Sequence, residues 1–175
     1  MDYIKLCTPT MYVDVPGPTV VVVKQNLNEH LRLSEIEIYD VYGNNIANEA
    51  FCSSYSRDRF GMPACLNDGV KGSGIFPDSC YSHSARVDLA NFDYCVFKEP
   101  TQILKVKIFP FYDPKNPSAI ESLRDLQVQL YAGMEGSGPT ANFLGLLADY
   151  RLDDVFADNL PHEQYSECLN RIRLH

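Results

Sequence analysis

Over several short stretches of the chain apolar and polar positions alternate with period two, or β-branched residues run together, the patterns of strands in a sheet. The runs are TVVVVK at 19–24, LRLSEIEIYDV at 31–41, ARVDLA at 85–90, ILKVKIFPF at 103–111 and LQVQLYA at 126–132. Long, turn-rich segments separate them, which predicts an all-β antiparallel sandwich. Within KVKIF, Val106 and Ile108 share one parity and Lys105 and Lys107 the other, and QVQLY repeats the arrangement with Val128 and Leu130. Pro110 ends its run because proline cannot donate within a ladder, so FYDPKNPSA is expected to be loop.

One run changes step. Leu31 and Leu33 share one parity while Ile36 and Ile38 share the other. A strand that slips by one residue turns its apolar set to the wrong face, so both pairs reach one core only if an extra residue is accommodated between them. A β-bulge at Ser34 and Glu35 supplies it and bends the strand. The following DVYGNNIA contains a Gly/Asn turn that tolerates positive φ.

These residues carry a resemblance. LRLSEIEIYDVYGNNIA is similar to the opening of a discoidin (coagulation factor type C) domain, and ACLNDGV at 64–70 resembles that family's Asp-Gly turn. SCYSHS at 79–84 is similar to a Ser-Cys-x-His-Thr segment of the fucose-binding F-type lectin branch, and ARVDLANFDYCV to a strand usually read Trp-x-Val-Asp-Leu-Gly. The pieces run in the family's order over residues 3–132. The resemblance implies an eight-stranded antiparallel jelly roll with ligand loops at one end and no default catalytic role. It implies sugars, lipid headgroups or proteins as ligands, and in lectin-like members a structural calcium near the Asp-Gly turn, for which Asp68 and Ser79 are the candidate oxygen ligands.

The chain also departs from that pattern. Arg86 stands where the family places tryptophan, and the chain has no tryptophan at all. The loop expected to carry two arginines beside a cysteine pair offers only Arg124. Sugar sites combine an aromatic face with side chains that fork to vicinal hydroxyls. The residues left for such a role are Arg57 and Arg59 in SYSRDRF, His83, Arg86, and Tyr112 beside Phe109 and Phe111. Each has a plain alternative: Asp58 between the two arginines suits a solvated surface, His83 can be satisfied by loop backbone, and aromatics beside a strand are usually core or rim.

Composition narrows the classes further. The 175 residues are 45% hydrophobic with a net charge of −8, enough for one domain with its own core and a modest extension. The acidic balance and the lack of a basic cluster beyond NRIRLH and SRDRF exclude nucleic acid or an anionic membrane as the main partner. No apolar run reaches the length of a membrane helix, and MDYIKLCTPTMYVDVPG lacks the features of a secretory signal, so synthesis in the cytosol is expected. The six cysteines show no C-x-x-C spacing; their even count permits disulfides, but buried reduced thiols are the expectation without a secretory signal. Cys80, His83 and Asp88 lie close in sequence, yet a strand starting near Ala85 carries Asp88 away from His83, so no enzyme is expected. GVKGSG lacks the strand-to-helix context and the ending of a phosphate loop.

The C-terminal part lies outside the resemblance. AGMEGSGPT has linker composition, so the chain divides into a sandwich at 1–132, a linker at 133–140 and an arm at 141–175. Asn159 and Pro161 open a short amphipathic helix in that arm, with Tyr165, Cys168, Leu169 and Ile172 on one face. Two functions fit. One is a non-enzymatic structural protein whose partners are other proteins; the other is a lectin-like module for cell-surface glycans, with no cofactor required beyond the structural calcium. Large DNA viruses encode stand-alone discoidin-like proteins without signal peptides, so a virion role against capsid proteins would reconcile this ancestry with cytosolic synthesis.

Overall fold

The structure, a computed structural model, describes residues 9–13, 17–25, 31–55, 63–69, 82–83, 91–111, 126–151 and 156–157. Ten strands are present: β1 Pro9–Tyr12, β2 Val20–Gln25, β3 Arg32–Tyr39, β4 Phe51–Ser54, β5 Ser82–His83, β6 Asn91–Val96, β7 Lys105–Pro110, β8 Leu126–Glu135, β9 Asn142–Arg151 and β10 Phe156–Ala157. They form two five-stranded sheets, ordered β10-β1-β7-β3-β5 and β4-β6-β2-β8-β9, and every pairing is antiparallel. This is an all-β sandwich. The only helical turns among the described residues are short 3-10 turns. The expected C-terminal helix and the ARVDLA strand lie outside the described residues.

The core forms where the inward parities of both sheets meet. Val21 and Val23 of β2, Val106 and Ile108 of β7, and Leu126, Val128 and Leu130 of β8 are all buried together. Leu31, Leu33, Ile36 and Ile38 join them in one cluster. The register of β3 against β7 shifts between Leu33 and Glu35, with Leu33 opposite Pro110 and Glu35 opposite Phe109. The bulge therefore sits at Ser34, whose hydroxyl donates to the Phe109 carbonyl at 3.3 Å.

β2 is buried on both faces, which is why it reads as a continuous valine run rather than an alternation. Val20 and Val22 face outward into a second cluster with Phe92 and Tyr94, which Phe143, Tyr131 and Met134 pack against. The β8–β9 hairpin supplies this cover. Its tip reaches β6, where the Gly138 amide donates to the Tyr94 hydroxyl at 2.9 Å. Phe143 packs on Phe92, Tyr94 and Tyr131 with ring centroids 5.2, 5.6 and 5.2 Å apart.

Residues 133–140 thus do not act as the linker that their composition suggested. They are the end of β8 and a tight turn, closed by the Thr140 amide to the Ser137 carbonyl at 3.0 Å. Gly136 has φ 71°, and a Cβ there would sit 2.4 Å from the Thr140 carbonyl oxygen. The glycine and serine content reflects this turn, not a flexible tether. β9 and β10 then build residues 142–151 and 156–157 of the expected C-terminal arm into the two sheets.

The thiol expectation is also corrected. Cys52 of β4 and Cys95 of β6 are directly opposite in the ladder and form a disulfide, with Cα atoms 4.1 Å apart. Cys65 is disulfide-bonded as well. Sequence spacing does not reveal the β4–β6 register that brings the first pair together.

Two predictions follow from this architecture. Leu33→Ala, which truncates a core side chain that the bulge keeps inside, should cost roughly 2–5 kcal/mol. Ser34→Ala, which loses one neutral hydrogen bond, should cost about 1 kcal/mol; urea unfolding of the two variants separates these values. The Cys52–Cys95 bond spans a sequence separation of 43. The double variant C52A/C95A should lose about 4 kcal/mol through the freed chain entropy of the unfolded state, read from the same unfolding curves.

Candidate functional site

The bulge that keeps the leucines inside also fixes the side chain after it. Glu35 lies on the outward parity of β3, yet it is only 1% exposed. The segment that meets it is the 3-10 turn Pro63–Asn67 and the two residues after it. That turn is anchored by Leu66 in the core and by the Asn67 side chain, whose Nδ2 donates to the carbonyls of Ala47 at 2.8 Å and Ala50 at 2.9 Å. The chain then bends at Gly69, φ 83°, and the Gly69 amide donates to Glu35 Oε1 at 3.0 Å.

Glu35 Oε2 is buried and has no hydrogen-bond partner among the described residues. The carboxyl is pushed up to about 8. Burial away from water is the largest cause; the Gly69 N–H opposes it, and the neighbouring Asp68 and Glu37 carboxylates add to the rise. At neutral pH this acid holds its proton. Further along the same face, the Tyr39 hydroxyl donates to Glu37 Oε2, and the Lys105 and Lys107 ammonium groups stand 5.0 and 5.8 Å from the Tyr39 ring centroid.

Asp68 is the one proposed calcium ligand that the structure brings into this site. Calcium takes six to eight oxygens, and an orphaned buried carboxyl oxygen beside a second carboxylate is a donor set that a hard cation would satisfy. Among the described residues no group of three or more His, Cys, Asp or Glu side chains is placed to hold a metal. Ser79, Arg57, Arg59, Arg86 and Tyr112 lie outside the described residues. His83 lies in β5, its backbone opposite Arg32 of β3. Glu35 itself was not foreseen, because Glu at the outward parity of a strand reads as solvated; only the Asp-Gly turn that covers it could have drawn attention to it.

A second surface is the turn after β3. The Asp40 carboxylate accepts from the Tyr42 and Asn44 amides, both at 2.9 Å, and these contacts hold it below the ordinary aspartate range, the Asn44 amide foremost. The turn carries Tyr42 86% exposed at its tip. A third is β9, the edge of its sheet, where Leu144, Leu146 and Leu147 are 40%, 53% and 39% exposed. No helix among the described residues is long and apolar enough to cross a membrane. Comparison with protein-family models, curated proteins and solved structures finds no match to this chain.

The raised Glu35 carboxyl has a consequence for stability. Its folded value lies above that of the unfolded chain, so the folded state binds the extra proton between about 4.5 and about 8. The stability this contributes is fully present below the unfolded value and is lost as pH rises through the folded one, at up to about 1.4 kcal/mol per pH unit. Glu35→Gln keeps the shape without the titration. Urea unfolding between these pH limits should show a falling stability in the parent that is flatter in the variant.

Proposed function

We propose that the chain is a non-enzymatic, discoidin-like jelly-roll protein that works by protein–protein contact, as a structural component of an assembly such as a virion. The observation that carries this reading is β9. A ten-residue edge strand with three exposed leucines offers both an open ladder and an apolar stripe, the two features that strand-mediated recognition uses. The bulge at Ser34, which underlies the likeness to discoidin domains, supports the family part of the reading.

The Glu35–Asp68 arrangement favours a second reading, a lectin-like module with a structural calcium. In that reading Glu35 Oε2 and Asp68 belong to the cation's oxygen set, and sugar recognition falls to His83, Arg57 and Arg59.

Glycan-array binding with and without calcium separates the two. The structural reading expects no sugar recognition in either condition and no rise in melting temperature on adding calcium. Sugar binding that disappears in Arg57→Ala or His83→Ala, together with calcium-dependent stabilisation, would replace it with the lectin.

A further inference from the structure

We infer that the Cys52–Cys95 bond is made by an external disulfide while the sheet that carries it is still uncovered, and that closure of the sandwich then seals it against thiol reductants. This goes beyond both functional readings above and depends on neither.

The two cysteines need only their own sheet to meet. Cys52 of β4 stands directly opposite Cys95 of β6, and the pairing of Phe51–Ser54 with Asp93–Val96 sets that register without any strand of the other sheet.

Once the sandwich is closed, the sulfurs are out of reach. Cys52 is 6% and Cys95 0% exposed, and both belong to the buried cluster with Ile36 and Ile38 of β3, Val106 and Ile108 of β7 and Leu66 of the covering turn. On its other flank Cys95 is paired with Val21 of β2. Thiol–disulfide exchange passes through a mixed disulfide, so a donor or a reductant must bring its own sulfur onto one of these two. A close-packed core has no room for that visitor. Cys65, also bonded, is 1% exposed, so every cysteine among the described residues is both oxidised and buried.

The exchange chemistry fixes what comes before folding is complete. A Cys52 or Cys95 thiolate attacks the donor disulfide and releases one donor thiol. The other cysteine then attacks the mixed disulfide at the protein's sulfur and releases the second. Two electrons pass from the chain's dithiol to the donor, and the two thiol protons end on the donor's sulfurs. The donor, a disulfide of a thiol oxidoreductase or oxidised glutathione, therefore acts before β3, β7 and the Pro63–Asn67 turn close over β4 and β6. In the closed fold, reduction waits on opening of the whole sandwich, so the bond outlasts exposure to a reducing solution for as long as the fold does.

Reduction of the native full chain by dithiothreitol, trapped with iodoacetamide and read by peptide mass spectrometry at Cys52 and Cys95, tests the seal. The native rate should be at least about a thousandfold below that of the chain unfolded in urea. Below the unfolding midpoint its logarithm should rise with urea along the slope of global unfolding, since only the open sandwich reacts. A smaller ratio, or a rate indifferent to urea because β4 opens alone, would overturn the inference. The order is tested by refolding the reduced chain with oxidised glutathione present from the start, or added only after the circular dichroism has settled. Early addition should form the bond at least about tenfold faster than late addition, or the reduced chain should stay open until the oxidant arrives. Equal rates in a chain already closed would overturn the order. Replacing glutathione by a protein disulfide isomerase in both arms distinguishes the two donors.

Discussion

A sheet's side chains alternate strictly, so one residue too many in a strand must either scatter its apolar set over both faces or be absorbed by a bulge. In β3 it is absorbed at Ser34, and both the core and the candidate site depend on that choice. Leu31 and Leu33 remain in the same interior as Ile36 and Ile38, where they meet Val106 and Ile108 of β7 and the valines of β2. The displaced residue secures itself by donating to the Phe109 carbonyl, so the ladder opened by the extra residue is partly closed again by a side chain. The same shift sets Glu35 opposite Phe109 and beneath Gly69, which turns an ordinary outward glutamate into a buried acid.

How legible these features are in the sequence depends on whether the partner is local. The β3 bulge is readable because its phase change lies between two clean aliphatic pairs, and β7 and β8 are readable because lysine and glutamine mark their outward faces. β9 is not. NFLGLLADYR has no period-two pattern, since the bulge at Leu147 doubles a leucine and Gly145 occupies a position where a Cβ would approach Ala132 Cβ to 3.0 Å. The same phenomenon that was decipherable in β3 therefore hid β9, and the glycine-rich turn before it passed for a linker. The Cys52–Cys95 bond and the burial of Glu35 were beyond reach for another reason. Each depends on a register or a covering segment far away in the chain, 43 residues in the first case.

Folding the β8–β9 hairpin back over its own sheet explains why one face of the sandwich carries a second apolar cluster. Four successive valines need cover on both sides, and a single interlayer core supplies only one. Phe143 and Tyr131 close the other side over Phe92 and Tyr94, with the tip held at the Tyr94 hydroxyl. This cover has a structural cost: the strand that delivers Phe143 to the cluster becomes a long edge, with the leucines that do not fit beneath it left facing solvent.

The acid pocket and the leucine edge belong to different sheets, and no described residue is common to both. Glu35 is sensed through the Pro63–Asn67 turn and Gly69, whereas the β9 edge is positioned by β8 and the aromatic cluster. What fills the need at Glu35 Oε2 also differs in kind from what an edge strand recognises. A proton neutralises one carboxyl and leaves Asp68 as it is; a divalent cation would draw both carboxylates into one coordination shell and tie the Asp-Gly turn to the bulge. The proton acts on β3 and its cover, so a change of pH should alter the firmness of that corner of the sandwich without rewriting the register of β9.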